Sequence, residues 1–305
     1  MTRKIIGITG GSGFVGQTLL RIAREQGLGV RALTRTPRTD TDGISWIEGA
    51  LDQPATLVRL ATSCDAIIHV AGVVNAPDKA GFIASNVTGT AALTAAACVA
   101  SATRFIHLSS LAAREPALSH YGASKAEAEH IVQGSALDWT IVRPPAIYGA
   151  GDRDMLDVYK MARRGFVAVP PKGAASLIEV SDLARLLLRL VDCDQAIGQI
   201  YEVDDGMLGG WSHTDYAKAI GDAVGRRVLT IATPAPVMRF GAKIDRMFRG
   251  GGARLTADRA AYFCHPDWVI NADRRVPIDI WQPQVETRAG LTATAAAYRA
   301  AGWLK

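Results

Sequence analysis

TGGSGFVG, residues 9–16, is the stretch whose reading decides the fold. It follows a short apolar run, KIIGIT (4–9), and opens FVGQTLLRIAREQ (14–26), where Phe14, Leu19, Ile22 and Ala23 recur at helical spacing. A strand, a glycine loop and a helix in that order can cradle a phosphate. The glycines permit a tight turn and let the main chain approach a pyrophosphate, which the unpaired N–H groups and positive dipole end of the helix then face. The spacing fits G-x-G-x-x-G at Gly11, Gly13 and Gly16, and G-x-x-G-x-x-G at Gly10, Gly13 and Gly16. A bare tight turn is the other reading of such a run, but the flanking strand and helix favour the cradle. Gly10, Gly11, Ser12, Gly13, Phe14, Val15 and Gly16 are therefore expected to bind a dinucleotide.

Outward from the loop, strands and helices alternate. Gly27 and Gly29 stop the first helix, and Val30–Leu33 and Ser45–Glu48 read as strands. A helix at Pro54–Ala61, a strand at Asp65–Val70 and an Ala-rich helix over 79–101 follow, then strands at Arg104–Leu108 and Trp139–Val142 around a helix near 119–130. Ser181–Val191 and Gln199–Val203 add a further helix and strand. This pattern predicts an α/β fold, a doubly wound parallel Rossmann sheet built from 1–145 plus 176–205. Residues 146–175 plus 206–305 are expected to form a smaller, mainly helical C-terminal substrate lobe. Ligands of open parallel sheets bind outside the carboxyl ends of the strands. Ala71–Gly72, Ser109–Ser110 and Arg143–Pro144 all follow strand ends and should gather beside the glycine loop.

Composition narrows the function. The chain has 305 residues, 49% hydrophobic and 21% charged, which is ordinary for a globular protein. The formal net charge of +5 is too spread out to imply nucleic acid and suits an anionic ligand. Cys64, Cys98, Cys193 and Cys264 lie far apart, so neither a metal site nor a disulfide framework is expected. Cys64 and Cys98 flank apolar runs and read as small core residues, and His69 and His107 read as satisfied core histidines. The N-terminal glycines break the first apolar run too early for a signal peptide. No run of ~18 apolar residues predicts a membrane span, so a cytoplasmic location is expected.

The second strand ends in VRALTRTPR, 30–38, with Arg31, Arg35 and Arg38 and no acid before Asp40. An acid there would hold a ribose 2′-hydroxyl, whereas a guanidinium accommodates a 2′-phosphate. NADP(H) is therefore expected over NAD(H), with Arg35 as its reader. In SHYGASKAEAEH, 119–130, Tyr121 and Lys125 stand one helical turn apart. An ammonium so placed favours the phenolate of a tyrosine that is otherwise a poor base at neutral pH.

The chain resembles the extended and atypical short-chain dehydrogenase/reductase family, also called the NAD-dependent epimerase/dehydratase family. TGGSGFVG, Leu51–Asp52, DAIIHVAG (65–72), NVTGT (86–90), LSS (108–110), YGASK (121–125), RPPAIYG (143–149) and LIEVSDLA (177–184) follow the family's order. The resemblance implies that Tyr121 exchanges a proton with a substrate oxygen that Ser110 also holds, with Ser110 preferred to Ser109. It implies that Lys125 bonds the nicotinamide ribose, that the Leu51–Asp52 pair meets the adenine, and that Ala71, Gly72 and Pro144 shape the cofactor cleft. Asn86 would hold main chain or water nearby, or serve only as a helix-bridging amide. The implied activity is NADP(H)-dependent hydride transfer to or from a carbonyl or secondary alcohol on a small molecule, by a monomer or homodimer. The alternatives are a nucleotide-sugar epimerase or dehydratase that retains its cofactor, and a non-catalytic cofactor-sensing or scaffold protein of the same fold.

One late segment stands outside this pattern. Arg239, Lys243, Arg246, Arg249, Arg254 and Arg259 interleave with Val237, Met238, Phe240, Ile244, Met247 and Phe248. A lobe helix with a solvated face is the ordinary reading, and contact with a membrane surface the rarer one. Gly250–Gly252 would suit a lid hinge.

Overall fold

A computed structural model describes residues 3–102, 104–249 and 256–305. Gly250–Gly252 and Arg254 lie outside the described residues, as do the side chains of Arg239, Arg246, Phe248 and Arg249. The chain divides into two compact units. The first comprises Met1–Arg143, Leu183–Glu202 and Val276–Trp281; the second comprises Pro144–Asp182, Val203–Arg275 and Gln282–Lys305.

The first unit holds β1 (Ile5–Thr9), α1 (Phe14–Glu25), β2 (Gly29–Thr34), β3 (Ile44–Glu48), α2 (Pro54–Ala61) and β4 (Ala66–His69). It continues through α3 (Lys79–Phe82), a π-helical segment Ile83–Thr88, α4 (Gly89–Val99), β5 (Arg104–Leu108), α5 (His120–Gln133) and β6 (Asp138–Arg143). Among the described residues, seven strands form one parallel sheet in the order β11-β6-β5-β4-β1-β2-β3, with β11 at Gln199–Glu202. The order reverses beside β1, so the glycine loop leaves the sheet at its switch point, where such sheets bind ligands.

Local chemistry fixes these elements. β1, β4 and β5 are almost wholly buried and mostly apolar, as strands covered on both faces must be. Helix α1 buries Val15, Leu19, Leu20, Ile22 and Ala23 on one stripe, and α2 begins at Pro54, whose fixed φ suits the first helical turn. Ser119 caps α5 by accepting the Gly122 N–H at 2.9 Å. The Ala-rich helix expected over 79–101 is interrupted by the π segment that carries Asn86. By length and composition the run Lys79–Val99 could cross a membrane, but half of its apolar window is buried, as in a core helix.

The expected core roles hold only in part. Cys64 is buried and donates to Leu60 O at 3.1 Å, whereas Cys98 is exposed on α4. His69 is satisfied, with Nδ1 2.6 Å from Thr9 Oγ1 and Nε2 3.0 Å from Thr90 Oγ1. His107 is equally buried, yet neither ring nitrogen has a hydrogen-bond partner among the described residues. Its ring centroid lies 5.3 Å from that of His69 on the neighbouring strand.

The second unit contains β7 (Ala146–Tyr148), α6 (Leu156–Arg163), β8 (Phe166–Val169), β9 (Ala174–Ala175), β10 (Leu177–Glu179) and the start of α7 (Val180–Arg189). It also contains β12 (Trp211–Ser212), α8 (His213–Ala223), β13 (Leu229–Ala232), α9 (Ala235–Arg249), α10 (Ala257–Phe263), β14 (Asp267–Trp268) and α11 (Thr287–Ala300). Its core gathers Tyr148, Tyr159, Trp211, Ile220, Leu291 and Tyr298. Asp182, of the LIEVSDLA stretch, accepts the main-chain N–H groups of Gln284 and Val285 and ties that loop to the start of α7.

Candidate functional site

The glycine loop assigns each glycine a separate task. Gly10 has φ +74° and lies so close to the loop after β4 that a Cβ there would meet Ala71 N at 2.6 Å. Gly16 packs on the loop itself, and a Cβ would fall 2.0 Å from Gly10 O. Gly13 has ordinary extended backbone, and a Cβ would meet only Gly10 O at 3.4 Å. The space at Gly13 is therefore not filled by protein. Gly13 is also the N-cap of α1 and makes no side-chain cap, so the first turn of α1 presents main-chain N–H groups outward beside Ser12, Phe14 and Val15. These observations fit a bound pyrophosphate.

A recess opens at the ends of β2 and β3. Arg35, Glu48, Gly49, Ala50, Gln53 and Arg59 line it. The structure sorts the three arginines of the second strand. Arg31 donates to Thr62 O and Arg38 stacks 4.9 Å over the Trp46 ring, so only Arg35 lines the recess. Arg59, from α2, and Glu48, at the end of β3, were not singled out from the sequence. The pairing of β2 with β3 brings Glu48 to Arg35, and α2 brings Arg59. Leu51 packs against Gly89 of α4 and Asp52 is exposed in the turn before α2.

The opposite side is built on α5. Tyr121, Lys125 and Glu129 lie at i, i+4 and i+8, and all three are buried. Gly122 allows this face to meet the short 3-10 turn Leu111–Arg114, since a Cβ there would fall 2.7 Å from Ala112 O. Ser110 caps that turn by accepting the Ala112 N–H, which uses a lone pair and not its hydrogen. Ser109 is buried and donates to Glu129 instead, so the two serines have different duties. Lys125 Nζ donates to Leu108 O at 2.7 Å, which holds it against the end of β5. A Cβ on Gly72 would lie 3.9 Å from Lys125 Nζ and 3.0 Å from Asn86 Oδ1, so the strand-end loop after β4 reaches the same place. Asn86 clamps that loop, accepting the Val73 N–H at 2.8 Å and donating to Val73 O at 3.0 Å and Ser124 Oγ at 2.9 Å. Pro144 is buried directly after β6 and belongs to the second unit.

Behind Lys125 runs a charged network that sequence reasoning missed. Arg143 grips Glu129 with two hydrogen bonds, Nε to Oε1 at 2.9 Å and a terminal nitrogen to Oε2 at 2.6 Å. It also reaches Glu202 Oε1 at 3.4 Å, and Glu202 lies 3.6 Å from Arg114. Fork-to-carboxylate geometry of this kind is strong and directional. Losing one partner of such a buried pair leaves an uncompensated charge. The available signal was Glu129 itself, one turn beyond Lys125 on the same face.

Burial lowers the Lys125 ammonium to about 8, with the Glu129 carboxylate opposing the fall. Burial, and then the charge of Lys125, also lowers His69 to about 3 and His107 well below the usual histidine value. Both imidazoles are thus neutral at physiological pH, and Lys125 carries the charge. In the folded chain Lys125 loses its proton well before an unfolded lysine does. The unfolded state therefore holds more protons between the two values, and burial of Lys125 costs less stability as the pH rises past about 8. Cofactor binding should move the other way. Titrations should find affinity falling as the pH rises through about 8, and Lys125→Met should bind weakly with that dependence gone. A wild-type affinity flat across the range would remove Lys125 from the cofactor site.

A nucleotide-binding Rossmann sheet with a buried Tyr/Lys helix face is the class of protein these features define. Comparison with known proteins agrees, because the profile of the NAD(P)H-binding family matches residues 10–194. The chain belongs to this family, within the extended short-chain dehydrogenase/reductases, which are NAD(P)-dependent enzymes. It is 33% identical to a ceramide reductase of Caulobacter vibrioides over 99% of this chain and 96% of that protein. It is 25% identical to a UDP-glucose 4-epimerase of Vibrio cholerae over 67% of this chain and 71% of that protein. The solved structure of MoeE5 in complex with UDP-glucuronic acid and NAD shares the fold, with a TM-score of 0.74 at 20% identity, covering 98% of this chain and 99% of that one.

Proposed function

We propose that this protein is an NADP(H)-dependent oxidoreductase that reduces a ketone on a ceramide-like lipid, or oxidises the matching secondary alcohol. The observation that carries the reading is the α5 face, where buried Tyr121 and Lys125 stand beside the Ser110 turn and the strand-end loop at Gly72. The nicotinamide, when bound, supplies or accepts the hydride. Tyr121 gives its phenolic proton to the substrate oxygen as that oxygen gains charge, and takes it back in the reverse direction. The Ser110 hydroxyl donates to the same oxygen and holds it in place. Lys125 stabilises the phenolate left on Tyr121 and offers its ammonium to the ribose, and Glu129, gripped by Arg143, fixes the lysine's charge. Substrate choice and a cytoplasmic location belong to this proposal as well, the former assigned to the second unit.

The lipid ketone is favoured over a nucleotide sugar by the match to the reductase, which covers 99% of this chain and 96% of that one. NADP(H) is favoured over NAD(H) because two guanidiniums, Arg35 and Arg59, share the adenosine-side recess with a single carboxylate, Glu48. Arg35→Ala should weaken NADPH by ~1.5–3 kcal/mol, the range for a hydrogen bond to a charged group, and leave NADH almost unchanged. Equal wild-type affinities for the two cofactors would sink the arginine reading. Incubating the protein with NADPH and either a keto-ceramide or UDP-sugars tests the activity. NADPH should be consumed with the lipid only, and the protein should purify without bound cofactor.

A further inference from the structure

Helix α9 has a buried side and an exposed side. Ala242 is buried, and Met238 Sδ lies 3.5 Å from Cys264 Sγ just beyond α10. On the opposite side Val237, Phe240, Ile244 and Met247, spaced by three, four and three residues, form one exposed stripe, with Phe240 64% and Met247 73% exposed. The strand directly before it, β13, turns Leu229 and Ile231 outward on one face, with Leu229 69% exposed. Six of the twelve exposed large apolar side chains found among the described residues thus fall between Leu229 and Met247. Scattered exposed hydrophobes need no explanation, but a concentration of this kind marks an interaction surface.

Charge says what the surface meets. Lys243 is exposed at a helix position beside the apolar stripe, and Arg226 and Arg227 are exposed just before β13. Between residues 226 and 249 there are six basic residues and one acid, Asp245. The difference of six and one equals the formal net charge of the whole chain, +5, so the rest of the molecule is neutral on balance. A second copy of this chain would bring the same positive charge to the contact and repel it. An anionic bilayer offers both what the stripe lacks, an apolar interior at shallow depth, and what this basic segment lacks, a negative surface.

We propose that β13 and α9 dock on an anionic membrane surface, with Phe240, Ile244 and Met247 entering the headgroup–acyl boundary and Lys243, Arg226 and Arg227 facing lipid phosphates. The proposal goes beyond the reductase reading and does not depend on turnover. Full-length protein should co-sediment with vesicles of phosphatidylcholine containing about one-third phosphatidylglycerol, and poorly with phosphatidylcholine alone. Added salt should release it. Phe240→Asp with Met247→Asp should abolish sedimentation, and each of Lys243→Glu and Arg227→Glu should weaken it by roughly fivefold or more, the contribution of one basic residue near such a surface. Unchanged thermal unfolding and NADPH binding in each variant would show the fold intact. Equal binding to neutral and anionic vesicles, or no binding at low salt, would overturn the proposal. So would a dimer in light scattering that Phe240→Asp with Met247→Asp splits while vesicles fail to bind, since a second copy would then cover the stripe.

Discussion

Tyr121→Phe is expected to lower turnover by ~10²–10⁴, the usual contribution of a positioned acid or base. The substitution keeps the ring, which packs with its centroid 6.2 Å from that of Phe82, and removes only the hydroxyl. The α5 cap at Ser119 and the Lys125 contact to Leu108 O do not involve that hydroxyl. Folding and NADPH affinity should therefore persist, and single-turnover measurements should place the loss in chemistry rather than binding. A Tyr121→Phe enzyme that turned over as fast as wild type would reduce the tyrosine to a packing residue and revive the cofactor-sensing reading.

The second large effect separates two glycines of one loop. Gly13→Val should abolish binding of either cofactor while the protein remains folded, because the added side chain has room against the protein and enters the space the pyrophosphate needs. Gly16→Val should instead prevent folding, because no rearrangement short of moving the loop relieves a Cβ placed 2.0 Å from Gly10 O. Thermal unfolding and cofactor titration of the two variants check both halves. A Gly13→Val protein that bound NADPH normally would place the pyrophosphate elsewhere.

What the sequence made legible were features that one segment encodes by itself. The glycine loop, the strand–helix alternation and the Tyr121/Lys125 pair are each written within a few residues of chain, and the parallel sheet follows from their order. Features that need several segments at once were not legible. The Ser109–Glu129–Arg143–Glu202 network joins residues that follow β5, lie on α5, end β6 and end β11, and no local spacing relates them. Arg59 and Glu48 reach Arg35 only because β2 pairs with β3 and α2 returns beside them. Cys98 shows the converse limit. An Ala-rich helix has weak contrast between its faces, so its apolar surroundings in sequence did not reveal that it points outward. His107 shows a further one, since a strand pattern predicts burial but not whether a buried ring finds partners.

The most direct test of the account is to follow a labelled hydride. Wild-type protein, NADPH carrying deuterium at the transferable position and a keto-ceramide are combined, and the lipid product is examined by mass spectrometry. The account predicts a secondary alcohol with one deuterium on the former carbonyl carbon, one NADP⁺ released per alcohol formed, and loss of the product with Tyr121→Phe. An unreacted ketone with NADPH intact, under conditions where the same protein inverts a nucleotide sugar on a cofactor it never releases, would contradict it.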